Sequence, residues 1–196
     1  MMKMGHLYII RHGQTDWNVE HMLQGRTDIP LNENGRNMAK EAALKYKDIA
    51  VDICYTSPLK RAYETACILF EGRDTKIVKD DRLIEMCFGE HEGTKGVFHQ
   101  PEHPMYKLFK APSDYVPDAG SESFEELYKR TGEFIKEILI PQLKEEKNIL
   151  VSGHGAMNLS IINQLLDIPI ERFWEHMQQN CEMMEIDVER KTIGDC

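Results

Sequence analysis

Leu7-Tyr8-Ile9-Ile10-Arg11-His12-Gly13 is an apolar run halted by a cation, an imidazole and a glycine, and Ile149-Leu150-Val151-Ser152-Gly153-His154-Gly155 repeats the pattern. Short apolar runs stopped this abruptly read as buried strands, here Leu7 to Ile10 and Ile149 to Ser152. A third, Ile53 to Thr56, stops on Ser57-Pro58. Helix signals follow. Asn32 can cap a helix running to about Ala50, and Ser57 with Pro58 offers an N-cap and first turn for a helix that Gly72 would end. Ser123 and Glu126 form a capping-box pattern for a helix with Phe124, Leu127, Thr131, Phe134, Ile135 and Ile138 on one face, bent or ended by Pro141. Residues Thr75 to Asp80 and Glu182 to Val188 read as further strands, the second nearer an edge. The alternation predicts a three-layer α/β/α fold with a mainly parallel central sheet, whose ligands sit beyond the carboxyl ends of the strands.

The 196 residues, 41% hydrophobic, suffice for a sizeable core and read as one domain spanning 1–196. Within it, 89–120 is rich in Pro, Gly, His and aromatic residues without periodicity, which suggests a lid-like insertion with a short helix around Met105 to Lys110. A net charge of −9 argues against nucleic acid or an anionic membrane as partner, so any phosphate site must be local. No apolar run approaches the roughly 18 residues of a membrane span. Five scattered cysteines without a CxxC spacing suggest neither disulfides nor a thiolate zinc site, and fit a reducing cytoplasm. Oligomeric state is not legible, and a homodimer is one arrangement left open.

In a parallel sheet His12 and His154 would stand at the same edge. Arg11 precedes the first, and Arg61 lies one turn into the helix after Ser57-Pro58. Two permanently charged guanidiniums and two imidazoles suit a dianion, because guanidinium forks match phosphate oxygens. Phosphoryl transfer asks for little beyond positioning and charge stabilisation. A neutral imidazole whose other nitrogen is held by an acceptor can attack phosphorus, but spacing does not rank His12 over His154. A carboxyl group would protonate the leaving oxygen, and Glu85, Glu90 and Glu92 are the candidates. His91, His99 and His103 with Glu102 do not read as a metal set, since Pro101 and Pro104 break any helix that would align them. Lys95, Lys107 and Lys110 read as solvated loop residues.

Taken together, Arg11-His12-Gly13-Gln14-Thr15 with Asn18, Gln24-Gly25, Asp28 to Leu31 with Gly35, Ser57-Pro58-Leu59 with Arg61 and Thr65, Leu83 with Glu85, Gly89 with Glu92-Gly93, Gly120 to Ser123, and Ser152 to Gly155 resemble the histidine phosphatase superfamily. That family holds cofactor-dependent phosphoglycerate mutases and many small-molecule phosphatases. The resemblance implies His12 as nucleophile, Arg11, Arg61 and His154 as the phosphate pocket, Asn18 as a further phosphate contact and Glu85 as proton donor, with neither metal nor other cofactor. Gln24, Gly25 and Gly155 join the expected phosphate or substrate contacts. Where the mutases carry Glu-Arg-His-Tyr-Gly and Gly-Leu-Asn-Lys, this chain has Glu85-Met86-Cys87-Phe88-Gly89 and Gly93-Thr94-Lys95-Gly96. Losing those polar clamps favours hydrolysis of a small phosphomonoester through a phosphohistidine over mutase-type transfer. The other alternative is an idle member that merely binds a phosphorylated ligand. Val97, Phe98, Met105, Tyr106 and Phe109 hint at a leaving group with apolar surface.

Overall fold

A computed structural model describes residues 4–196. Six strands form one mixed sheet in the order β3-β2-β4-β1-β5-β6, with β1 Leu7–Arg11, β2 Ile53–Thr56, β3 Lys76–Lys79, β4 Ile149–Gly153, β5 Met183–Asp187 and β6 Thr192–Asp195. Strands β3, β2, β4 and β1 run parallel, β5 pairs antiparallel with β1, and β6 pairs antiparallel with β5. The fold class is therefore the expected α/β arrangement. Glu182 to Val188 does contain a strand, but β6 lies outside it and forms the edge.

Strand alternation divides the core. Leu7, Ile9, Ile149 and Val151 pack against the helical run of α5 (Phe124–Phe134) and α6 (Ile140–Lys144) and against α7 (Gly155–Leu165), while Tyr8, Ile10, Cys54 and Leu150 face α2 (Glu33–Lys45) and α3 (Lys60–Leu69). Leu7, Ile9, Ile10, Ile149, Leu150 and Val151 are fully buried, and each such side chain contributes about 1.5–3 kcal/mol. A third cluster, with Leu23, Met86, Phe88, Val97, Met105, Leu108 and Phe173, lies under 89–120. This segment is thus packed over its own core, and its helix α4 spans Tyr106–Lys110.

Local signals met competition in four places. The Asn32-capped helix α2 stops at Lys45, short of Ala50. Helix α3 ends at Leu69, ahead of Gly72, and its N-cap is Leu59 rather than Ser57. Ser57 Oγ still accepts from Leu59 N at 3.3 Å but also meets His154 Nε2 at 2.7 Å, and the Lys60 N–H donates to Asp28 Oδ1 at 2.8 Å, so a distant loop helps cap the helix. The Ser123–Glu126 capping box forms as read. Pro141, however, does not end that helix: a π turn at Ile135–Leu139 absorbs its missing N–H, and buried Leu139 and Leu143 hold α6 in line. A further short helix, α1 (Asp16–Val19), follows β1, with Thr15 and Asn18 forming its own capping box.

Candidate active site

Register alone brings the two histidines together. Arg11 pairs with Gly153 across the parallel β1–β4 ladder, so His12 and His154 each stand one residue past it, their rings 5.3 Å apart. Glycine is required where β1 leaves the sheet, since a Cβ on Gly13 would meet the Gly35 carbonyl oxygen at 2.5 Å. Both imidazoles are buried, and burial first, then Arg61 and other neighbouring cations, pushes their pKa values well below the ordinary histidine range. They are neutral at physiological pH.

The rings are held differently. His12 Nδ1 lies 2.7 Å from the Gly13 carbonyl, which can only accept, so Nδ1 carries the proton and Nε2 keeps its lone pair. In His154, Nε2 is 2.7 Å from Ser57 Oγ, while the buried Nδ1 has no protein partner.

Arg61 is fully buried, with Nη1 donating to Thr27 O and Nη2 to Gly25 O at 2.9 and 2.7 Å. Burial pulls its pKa down to about 10, which leaves it protonated at neutral pH. Arg11 donates through Nη1 to Gln178 O at 2.8 Å, and its pKa is likewise lowered by burial. Each guanidinium retains an unpartnered buried Nε. The Gln178 side chain is fixed by Ile9 O, Glu182 O and Asn158, and Asn180 Nδ2 donates to His12 O at 2.9 Å.

Glu85 reaches the start of α7. Its Oε1 accepts from Met86 N and Met157 N at 2.8 and 2.9 Å, whereas Oε2 takes a longer contact from Ala156 N at 3.2 Å. Behind it, Arg130 donates to the carbonyls of Arg82, Ile84 and Glu85 and to the Glu122 carboxylate. Glu92 does not line the cavity: it accepts from Arg26 N, Thr27 N, Thr27 Oγ1 and Phe88 N, clamping the loop whose carbonyls hold Arg61. Glu90 is exposed and does not line the cavity.

Arg11, His12, Asn18, Gln24, Gly25, Arg61, Glu85 and Gly155 all line one cavity of about 350 Å³, with His154 buried beneath His12. Asn18 Oδ1 is occupied by Thr15, and Gln24 Oε1 accepts from Thr15 Oγ1, which fixes both amides at the wall. Phe98 and Phe109 line the cavity as well, but Val97 and Met105 are core and Tyr106 stands outside the lining. His91 pairs with Asp118 at 2.8 Å and stacks edge-on with His103. Among the described residues no group of three or more His, Cys, Asp or Glu side chains could hold a metal ion. No helix among them is long and apolar enough to cross a membrane.

Sequence reading missed Ser57 as a histidine partner, Arg130 behind the acid, and the wall residues Trp17, Trp174, Met177, Gln179 and Asn180. Apart from Ser57, whose Ser-Pro context was read as a cap, these carried no local signal.

The family model of the histidine phosphatase superfamily (branch 1) matches residues 7–193. An uncharacterized phosphatase of Bacillus subtilis, PhoE, is 36% identical over 80% of this chain and 75% of its own. A 2,3-bisphosphoglycerate-dependent phosphoglycerate mutase of Cytophaga hutchinsonii is 31% identical over 76% of this chain and 71% of its own. Among solved structures, a phosphoserine phosphatase of Entamoeba histolytica in complex with 3-phosphoglyceric acid superposes with a TM-score of 0.83 at 28% identity, covering 97% of this chain and 94% of that one.

Proposed function

Because this chain belongs to the histidine phosphatase superfamily, we propose that it hydrolyses a small phosphomonoester through a covalent phosphohistidine on His12. It is an enzyme of the phosphatase kind. The observation that carries the role of His12 is the Nδ1 contact to the Gly13 carbonyl, which aims a neutral Nε2 lone pair outward from a buried ring.

The proposed sequence of steps uses side chains that meet at the cavity. Arg11, Arg61 and His154 hold the phosphate oxygens, with Asn18, Gln24, Gly25 and the start of α7 at Gly155 completing the seat. His12 Nε2 forms a bond to phosphorus as the ester P–O bond breaks, and Glu85 gives its proton to the departing oxygen through Oε2, the atom less occupied by N–H donors. Water then attacks the phosphohistidine, its proton passes to Glu85, and the N–P bond breaks to release inorganic phosphate. No metal enters this scheme. Mutase-type transfer would share the first step, but Met86, at a position where the mutases place a polar clamp, is fully buried in the core below the insertion.

Rapid acid-free quench with a labelled aryl phosphate tests the scheme. A phosphoprotein labile to acid and stable to base is expected, along with phosphate release that is unaffected by a chelator and independent of any bisphosphate primer. His12→Ala should lower turnover about ten-thousand-fold or more and abolish the phosphoprotein. Wild-type turnover in that variant would remove His12 from the mechanism.

A further inference from the structure

The cavity has two unlike ends. Its guanidiniums, Arg11 and Arg61, both belong to the phosphate seat, and among the described residues no lysine lines it. Beyond that seat the wall is Trp17, Phe88, Phe98, Phe109, Trp174 and Met177. Both tryptophans of the chain thus face one cavity from opposite ends of the sequence. Phe109 is the hub, with ring centroids 4.4 Å from Phe98 and 4.9 Å from Trp174. Trp174 Nε1 donates to Leu108 O at 2.7 Å, which ties the wall to α4 and consumes the indole's hydrogen bond.

Three cations outside the seat have carboxylate partners. Arg26 and Arg130 both donate to the Glu122 carboxylate, and Lys95 pairs with Glu20 at 2.5 Å. A carboxylate on the leaving group would enter an aromatic enclosure and lose water without gaining a cation. A flat apolar group would instead bury its faces against the rings.

We propose that the enzyme selects phosphomonoesters whose leaving group is uncharged and aromatic or similarly apolar, with Trp174, Phe109 and Phe98 as the residues that set this specificity. The proposal rests on the phosphatase reading above and names its substrate class. Two further polar lining groups, His21 and Gln179, can orient a neutral hydroxyl or ether oxygen.

A fair test compares esters of equal intrinsic reactivity. 2-Phenylethyl phosphate and 3-phosphoglycerate are both primary alkyl esters, and assay near pH about 8 keeps imidazoles uncharged. The expected result is a kcat/KM about 100-fold higher for 2-phenylethyl phosphate, expressed mainly in KM. Trp174→Ala should narrow that gap about 10-fold. Phe98→Ala, at a side chain 36% exposed and tolerant of truncation, should narrow it less while leaving the fold intact. Phe98→Arg should raise kcat/KM for 3-phosphoglycerate several-fold. In His12→Ala, 2-phenylethyl phosphate should quench tryptophan emission at lower concentration than 3-phosphoglycerate does. Equal or better turnover of 3-phosphoglycerate, or a gap indifferent to all three wall variants, overturns the specificity proposal while leaving the phosphohistidine scheme standing. Failure to hydrolyse either ester, with no phosphoprotein formed, overturns both.

Discussion

The ends of β1 and β4 read almost identically, Arg11-His12-Gly13 against Gly153-His154-Gly155, yet the structure treats their imidazoles in opposite ways. His12 presses Nδ1 against a main-chain carbonyl, an acceptor with no alternative role, so its tautomer is dictated by the backbone. His154 holds Nε2 against the Ser57 hydroxyl, which can donate or accept, so its tautomer follows whatever its Nδ1 meets. A nucleophile needs the first arrangement, because its lone pair must be in place before substrate arrives. A group that stabilises phosphate is served by the second. Two residues of the same type at matched register positions are thus separated by a single choice of hydrogen-bond partner.

That contrast breaks most sharply when each ring is removed. Against the loss of turnover and phosphoprotein expected for His12→Ala, His154→Ala should lower kcat about 100- to 1000-fold, the usual consequence of deleting one donor to a developing charge. It should still form the phosphoprotein, more slowly. Single-turnover quench of both variants reads the difference directly, and a phosphoprotein in His12→Ala but none in His154→Ala would reverse the assignment.

The sequence made this pair visible but could not rank it. Apolar runs ending in Arg-His-Gly and Gly-His-Gly declare buried strands and a shared edge, because full burial on both faces leaves no polar alternation to confuse the period. Other elements lacked such a signature. Strand β6 is short, with Thr192 and Gly194 exposed, and only its ladder to β5 makes it a strand. Ser57-Pro58 carries a strong cap signal, yet the N-cap falls at Leu59 and the Ser57 hydroxyl is shared between Leu59 N and a tertiary partner 97 residues away. Trp174, Met177 and Asn180 reach the cavity because the chain returns across the top of β1 before entering β5, with Cys181 N donating to Arg11 O and Arg11 N to Glu182 O. A path like that is set by long-range pairing, and nothing in residues 170–182 taken alone announces it.

The shared feature of the two rings, neutrality through burial, should appear in stability against pH. Folding lowers both histidine pKa values, while in the unfolded chain they titrate near the ordinary value of about 6.5. Below that value the unfolded state binds protons that the folded state refuses, so stability is complete above about pH 6.5 and is lost as pH falls below it. Two such groups give a slope of up to about 3 kcal/mol per pH unit. Urea unfolding at steps from about pH 7 down to about pH 5.5 should show it, and His12→Ala should lose about half of the slope. Equal slopes in wild type and variant would mean that His12 is not held neutral. The acid limb of kcat/KM should accordingly lie below the range of a free imidazole.

The smallest expected effect addresses the difference itself. If Ser57 merely steadies His154, then Ser57→Ala removes its hydrogen bonds to the buried ring and to Leu59 N and lowers stability by about 1–3 kcal/mol, with kcat reduced about 10-fold and KM little changed. Ser57→Thr keeps the hydroxyl and should restore most of kcat, which an effect of packing alone would not do. Nitrogen-15 NMR of the His154 ring reads the tautomer independently. With vanadate in the phosphate seat, the wild-type ring should carry its proton on Nδ1, turned toward the oxyanion, while Ser57 donates to Nε2. In Ser57→Ala the ring should populate both tautomers. A wild-type ring protonated at Nε2 with the seat filled would assign Ser57 as acceptor and leave His154 without a donor for phosphate, and the two strand ends would then differ in more than the partner each ring has chosen.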